Sequence, residues 1–253
     1  MCKVTKCARK VILLQVGVSI VTGFLMIGSI TIPALAANDE FGPSNPFYAA
    51  SPLPFQAPPF DKIKDSDYQP AIEAGMAQQR AEVREIADNP APPTFENTIV
   101  ALEKSGQLFN RVMQVFNGVT GANLSPEMQK VQEIEAPKLA AHQDAIFLDS
   151  KLFQRVDAIY KQRESLGLDA EGLRLVEYYY DQFLHAGAKL SDADKAELKK
   201  LNEEESKLSQ AFNTKLLAAT KDAAFMTTDK SALAGLNQKG LDAAAEAAKD
   251  RSH

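Results

Sequence analysis

Residues 190–212 read LSDADKAELKKLNEEESKLSQAF, and the spacing of their apolar residues decides the fold class. Leu198, Leu201, Leu208 and Phe212, continued by Leu216, recur in steps of three, four or seven, the period of one helix face. Ser191 supplies an N-cap, Leu190 a packing partner just outside it, and Asp192 and Asp194 place negative charge where the helix dipole is positive. Glu203 and Lys207 are spaced for an ion pair on a solvated face. Glu205 falls on the apolar stripe, seven residues after Leu198 and seven before Phe212, and is expected to face a partner rather than water.

The same period governs the residues upstream. YQPAIEAGMAQQRAEVREIADNP (68–90) carries a stripe of Ile72, Met76, Val83 and Ile86 that ends at the prolines of NPAPP. Thr94 caps a second helix, expected to run unbroken through Phe95, Ile99, Leu102, Phe109 and Phe116. A third starts at Ser125-Pro126, an N-cap followed by proline at the first helical position, and Pro137 is expected to kink or interrupt it. Shorter helices are predicted over 151–165 and 170–184, with Gly167 and Gly187 as stops. No stretch alternates with period two for long enough to make a strand, so the fold class is all-α. LFNRVMQVF (108–116) and LFQRVDAIY (152–160) echo each other 44 residues apart. A third copy near Ala196 is missing, so the echo reads as two helices solving one packing problem rather than as a repeat.

All 13 prolines lie at or before Pro137, and six fall between Pro43 and Pro59. Residues 37–60 therefore read as an extended, proline-rich arm whose aromatic residues, Phe41, Phe47, Tyr48, Phe55 and Phe60, lie against something apolar. Ahead of it, Lys3, Lys6, Arg9 and Lys10 precede an uncharged apolar run, Val11 to Ile32, and the small-residue site Ala34-Leu35-Ala36. This pattern predicts a signal peptide over residues 1–36 and an exported, periplasmic chain starting at Ala37. The alternative is an uncleaved anchor over Val11 to Ile32, the one route to a membrane. Both cysteines, Cys2 and Cys7, lie in the leader, so the remainder holds no thiol for a disulfide. The leader also carries four of the 28 basic residues and no acids, leaving 24 against 33, a net charge of −9 that disfavours nucleic acid.

Little chemistry is visible. The histidines are His142, His185 and His253, and no His-Glu-x-x-His pair occurs. Asp181 and His185 could share a helix face, but an ion pair explains them as well as a metal does. His142 has the spacing of a partly buried core residue. No Gly-x-Ser-x-Gly elbow is present, and GVTGAN (118–123) reads as a turn between helices rather than a phosphate loop. Of Tyr178, Tyr179 and Tyr180, one ring is expected inward and the others at a rim.

The blocks FDKIKDSDYQPAIEAGM (60–76), PPTFENTIVALEKSG (92–106) and KQRESLGLDAEGLRLVEYYYDQF (161–183), in this order, resemble the N-terminal part of the bacterial peptidyl-dipeptidases of the thimet oligopeptidase family of zinc metallopeptidases. The resemblance covers about Asn45 to Arg251. It implies a multi-helix N-terminal lobe of a two-lobed, helical metallopeptidase, occupying residues 61–253, around a channel that admits oligopeptides. In that family two histidines of His-Glu-x-x-His and a later Glu hold zinc, and the Glu between the histidines is the general base. That motif and the substrate-holding tyrosine region lie downstream of the matched part, so no catalytic, cofactor-binding or metal residue carries over, and zinc is implied only for the full-length relative. AAAEAAKDRSH (243–253) carries no helix stop. The chain is therefore read as an N-terminal fragment, inactive alone, that exposes apolar surface meant for a missing C-terminal lobe. The alternatives are a stand-alone exported helical protein that binds peptides or a partner, and an enzyme with an unfamiliar site.

Overall fold

The structure, a computed structural model, describes residues 41–249. Within them it is all-α, without a strand. The proposed leader, its Ala36 cleavage site, the Val11 to Ile32 run and His253 lie outside the described residues.

Helix α1 (Tyr68–Ala87) ends where Asp88 leaves helical geometry ahead of Pro90. After it, Thr94 accepts a hydrogen bond from the Asn97 amide and Asn97 Oδ1 accepts one from the Thr94 amide, a reciprocal cap. The capped segment is a wide π-helical turn, Phe95–Val100, that runs into the short α2 (Ala101–Lys104). The expected unbroken second helix is wrong at Ser105-Gly106. Ser105 turns extended and caps Leu102 through its hydroxyl, and Gly106 takes a left-handed φ of 69° before α3 (Gln107–Ala122) begins. The Gly106 amide donates to Glu82 of α1 at 2.7 Å, so a tertiary contact holds the break that hydrophobic period alone could not show. Helix α3 also absorbs Gly118 to Ala122, which the sequence reading assigned to a turn.

Helix α4 (Pro126–Phe147) begins at the predicted Ser125 cap and runs through Pro137 without interruption. Proline removes one amide donor there, but the packing of a 22-residue helix against α1, α6 and a later helix outweighs one lost bond. Helices α5 (Ser150–Gln162) and α6 (Ala170–Ala186) follow, with Gly167 and Gly187 at positive φ as their stops. Helix α7 (Asp192–Asp222) starts at the Ser191 cap, and α8 (Gln238–Lys249) closes the described chain.

Two clusters form the core. One packs Phe47 of the arm with Tyr68, Ile72 and Met76 of α1, Val112 and Phe116 of α3, and Met128 of α4. The other joins the C-terminal end of α1 to Ile99, to Leu152, Val156 and Ile159 of α5, and to Val176 and Phe183 of α6. Where α1 crosses α3, a side chain at Gly75 would come within 2.8 Å of the Phe109 backbone, so only glycine allows the approach. The arm is mixed: Phe47 is buried and Phe41 packs beside it, whereas Tyr48, Phe55 and Phe60 are exposed.

The LF-x-RV echo marks two equivalent anchors. Leu108 and Val112 of one copy, and Leu152 and Val156 of the other, are all buried. The intervening arginines reach backward to irregular backbone: Arg111 Nη2 donates to the Phe47 carbonyl (2.8 Å), and Arg155 Nη1 donates to those of Asn89 (2.8 Å) and Ala91 (3.0 Å). Each target is an Asn-Pro turn in which the asparagine side chain accepts from the amide two residues on, at 2.9 Å in both Asn45 to Phe47 and Asn89 to Ala91. Arg155 further donates to Thr98 and Asn97, and it is buried, whereas Arg111 is half-buried. Urea denaturation should show Arg155→Ala destabilised by about 3 kcal/mol and Arg111→Ala by about 1 kcal/mol, in proportion to the buried bonds each deletes.

Candidate functional site

Three features of the surface could carry function. The first is a groove of about 920 Å³ between arm residues 55–60 and α3. Phe60, Pro58, Val115 and Val119 give it an apolar strip, and the carboxamides of Gln56, Gln107, Asn110, Gln114 and Asn123 line it as well. Arg111 is its one charged residue, and its bond to Phe47 ties the arm to α3. At the lip Phe55 and Gln56 hold positive φ (57° and 56°), and the Phe55 ring is fully exposed.

A second hollow of about 450 Å³ lies between α3, α4 and α6. In it Tyr179 donates to Glu103 (2.7 Å), and the tyrosine hydroxyl is driven up, by burial first, then by its hydrogen bond to Glu103 and by the charge of that carboxylate. His142 is buried, with Nε2 bonded to Gln79 Oε1 at 2.7 Å, Nδ1 facing Arg80 at 3.5 Å and the Phe109 ring 4.9 Å away. Burial, then the Arg80 charge, pushes its pKa down to about 4, so the imidazole is neutral. It is a core histidine, as its spacing predicted. Below it Lys138 bridges Glu73 of α1 and the fully buried Glu135 of α4. Glu135 Oε2 has no hydrogen-bond partner, and burial raises this carboxyl against the pull of Lys138.

The third feature is α7, whose two faces are reversed relative to an ordinary amphipathic helix. The residues turned toward α4, Leu198, Asn202, Ser206, Gln210 and Thr214, are mostly polar and half-buried. Asn202 donates to Asp144 (2.8 Å), Thr214 to Glu133 (3.1 Å), and at the start the buried Lys195 donates to Ser150 (2.7 Å). Leu208 and Phe212 each lie two residues, about 200° of rotation, beyond members of that seam. They are 63% and 65% exposed, and Leu201 and Leu216 extend the open stripe. Glu203 and Lys207 form the expected ion pair (2.6 Å), and Glu205, exposed on this side, accepts from Ser209.

The remaining sequence candidates do not converge. Asp181 and His185 are both exposed, and among the described residues no three His, Asp or Glu side chains are grouped to hold a metal ion. Tyr180 is the inward ring, stacked on Tyr160 at 3.6 Å, with Tyr178 and Tyr179 at the rim. No described helix is long and apolar enough to cross a membrane. The groove had no sequence signal beyond a helix with three carboxamides in one row.

Comparison with known proteins supplies what the geometry lacks. Over 207 residues the chain is 47% identical to the dipeptidyl carboxypeptidase of Escherichia coli (strain K12), covering 82% of this chain and 30% of that protein. The chain is homologous to one part of the dipeptidyl carboxypeptidases. The Salmonella typhimurium protein of that name gives 47% over 208 residues, again with 82% of this chain and 31% of the relative. An organellar oligopeptidase A of Arabidopsis thaliana is 28% identical over 216 residues, with 85% and 27% covered. The chain thus spans less than a third of the length of the curated relatives it matches. No family model matches it. The resemblance to the thimet oligopeptidase family read from the sequence therefore holds, with an all-α architecture.

Neutral His142 makes stability pH-dependent in a defined direction. Its folded pKa, about 4, lies below the ordinary 6.5, so between those values the unfolded chain binds the proton first. This contribution is full above about pH 6.5 and is lost as pH falls toward 4. A proton NMR titration should find the His142 ring neutral at pH 5.5, and His142→Gln should flatten the urea stability profile over that window.

Proposed function

We propose that this chain forms helical wall of an exported peptidase of the dipeptidyl carboxypeptidase kind, acting on oligopeptides. The observation that carries this reading is the 47% identity across most of the chain. The described donors do not fit zinc: His142 is locked to Gln79 inside the core, and His185 stands apart from it on an exposed helix face. No catalytic step is therefore assigned to these residues. Metal, general base and peptide-holding groups would come from polypeptide corresponding to the unmatched parts of the relatives. Those parts would also cover the open stripe of α7, since Leu208 and Phe212 are too exposed to serve this chain's own core. Residues 1–36 would direct export, leaving the arm from Ala37 as the first segment of the exported protein.

The stand-alone alternative, an exported helical binding protein, has one observation in its favour, the carboxamide-lined groove. A complementation assay separates the two. The full chain alone should release no dipeptide from an N-blocked tetrapeptide. Mixing it with a separately expressed remainder of the E. coli enzyme should produce release, and Phe212→Glu with Leu208→Glu should abolish it while leaving the chain's melting temperature unchanged. Dipeptide release by the chain alone, or no release from the mixture, would defeat the peptidase reading.

A further inference from the structure

We infer that the hollow between α3, α4 and α6 binds the quaternary ammonium head of a small molecule. Binding there needs no metal and no catalytic group, so the inference goes beyond the peptidase reading and does not rest on it.

Aromatic rings dominate the lining. Phe109, Phe147, Tyr178, Tyr179 and Phe183, drawn from three helices, line about 450 Å³, a volume within the range of built ligand sites. Tyr178 and Tyr179 meet at 5.5 Å with their planes 75° apart, and Phe147 meets Phe183 at 5.1 Å with planes 62° apart. Rings set at such angles turn their faces in several directions, which suits a rounded group better than a flat one. Phe183 is fully buried and Tyr178 is half exposed, so the rings run from the floor of the hollow to its mouth.

Charge selects the sign of the ligand. Glu103 is the one charged side chain in the lining, and no Lys or Arg joins it. His142, with its pKa pushed down to about 4, is neutral at pH 7. Arg80, which faces that imidazole, and Lys104 line other depressions. A carboxylate beside aromatic faces draws a cation in two ways, by its own charge and through the ring quadrupoles. An acid or a phosphate would be repelled.

Hydrogen bonding narrows the kind of cation. The Tyr179 hydroxyl donates to Glu103, the Ser105 hydroxyl donates to the Leu102 carbonyl, and His142 Nε2 is bonded to Gln79, each at 2.7 Å. With these groups engaged inside the protein, an ammonium carrying N–H donors would exchange water for few free acceptors. Methyl groups in place of those hydrogens remove the cost, keep the positive charge and pack against the phenylalanine rings. Asn110 and Gln143 stand at the exposed edge, within reach of a polar tail such as a hydroxyl.

The test is an NMR titration of the full chain with choline chloride, at ionic strength held constant with sodium chloride. The comparator is the neutral alcohol of the same shape, in which a tert-butyl group replaces trimethylammonium. The expected result is saturable shifts of backbone amides within residues 102–110 and 175–183, with the neutral alcohol bound at least about tenfold more weakly. Glu103→Gln, whose amide oxygen still accepts from Tyr179, should weaken choline binding at least about threefold. Tyr178→Leu should weaken it at least about fivefold at unchanged melting temperature, whereas Tyr178→Phe should keep it within about twofold. Should Glu103→Gln loosen the fold, the two variants of the half-exposed Tyr178 carry the test. No saturation, equal binding of the neutral alcohol, shifts outside those segments, or equal losses in the two Tyr178 variants would overturn the proposal. So would pelleting of the chain with phosphatidylcholine vesicles without a response to free choline. Choline binding is read on the chain by itself, so its outcome is independent of the complementation assay.

Discussion

The packing rests on two arginines that satisfy backbone carbonyls which proline leaves stranded. A proline-rich segment carries as many acceptors as any other but fewer donors, so burying one against a helix requires donors from elsewhere. Arg111 supplies them to the turn at Asn45-Pro46 and Arg155 to the turn at Asn89-Pro90. Both arginines sit between buried residues of the LF-x-RV pattern, so the helix surface that builds the core also holds the irregular chain. The 44-residue echo is the mark of that shared constraint. Asn45 and Asn89, and Arg111 and Arg155, keep the same offset as the helices they belong to.

Much of the fold was legible because helix ends are written locally. Ser125 before Pro126, Thr94 before Phe95, Ser191 before Asp192 and Gly187 after Ala186 act within a turn of themselves, and each lies where expected. The misses have a common physical source. Gly106 breaks a helix because Glu82, 24 residues earlier, accepts from its amide, and Pro137 stays inside one because distant helices pack around it. Gly118 and Gly121 looked like turn residues because glycine is a poor helix former, whereas α3 reaches Ala122. Local chemistry does not contain these outcomes.

The candidate sites were less legible. His142 could be assigned to the core from its spacing, but its bond to Gln79 and the depressed pKa depend on the crossing of α1 and α4. The groove joins residues 55–60 to residues 107–123, and carboxamides carry no signature that distinguishes them from ordinary surface. The stripe of α7 was plain as a periodicity, yet periodicity does not say which face meets the body. Asn202 and Thr214, not Leu208 and Phe212, took that place.

The reversed seam of α7 also sets how this helix holds together over time. Hydrogen bonds such as Asn202 to Asp144 replace similar bonds to water, so parting α7 from α4 exposes little new apolar area and meets only a small restoring force. Its amides beyond Ser206 should exchange with solvent through local opening, well before those of the helices around Val112 and Val156. A body seated on Leu208 and Phe212 would remove that opening route, so deuterium uptake along α7 reports directly on whether the helix is covered.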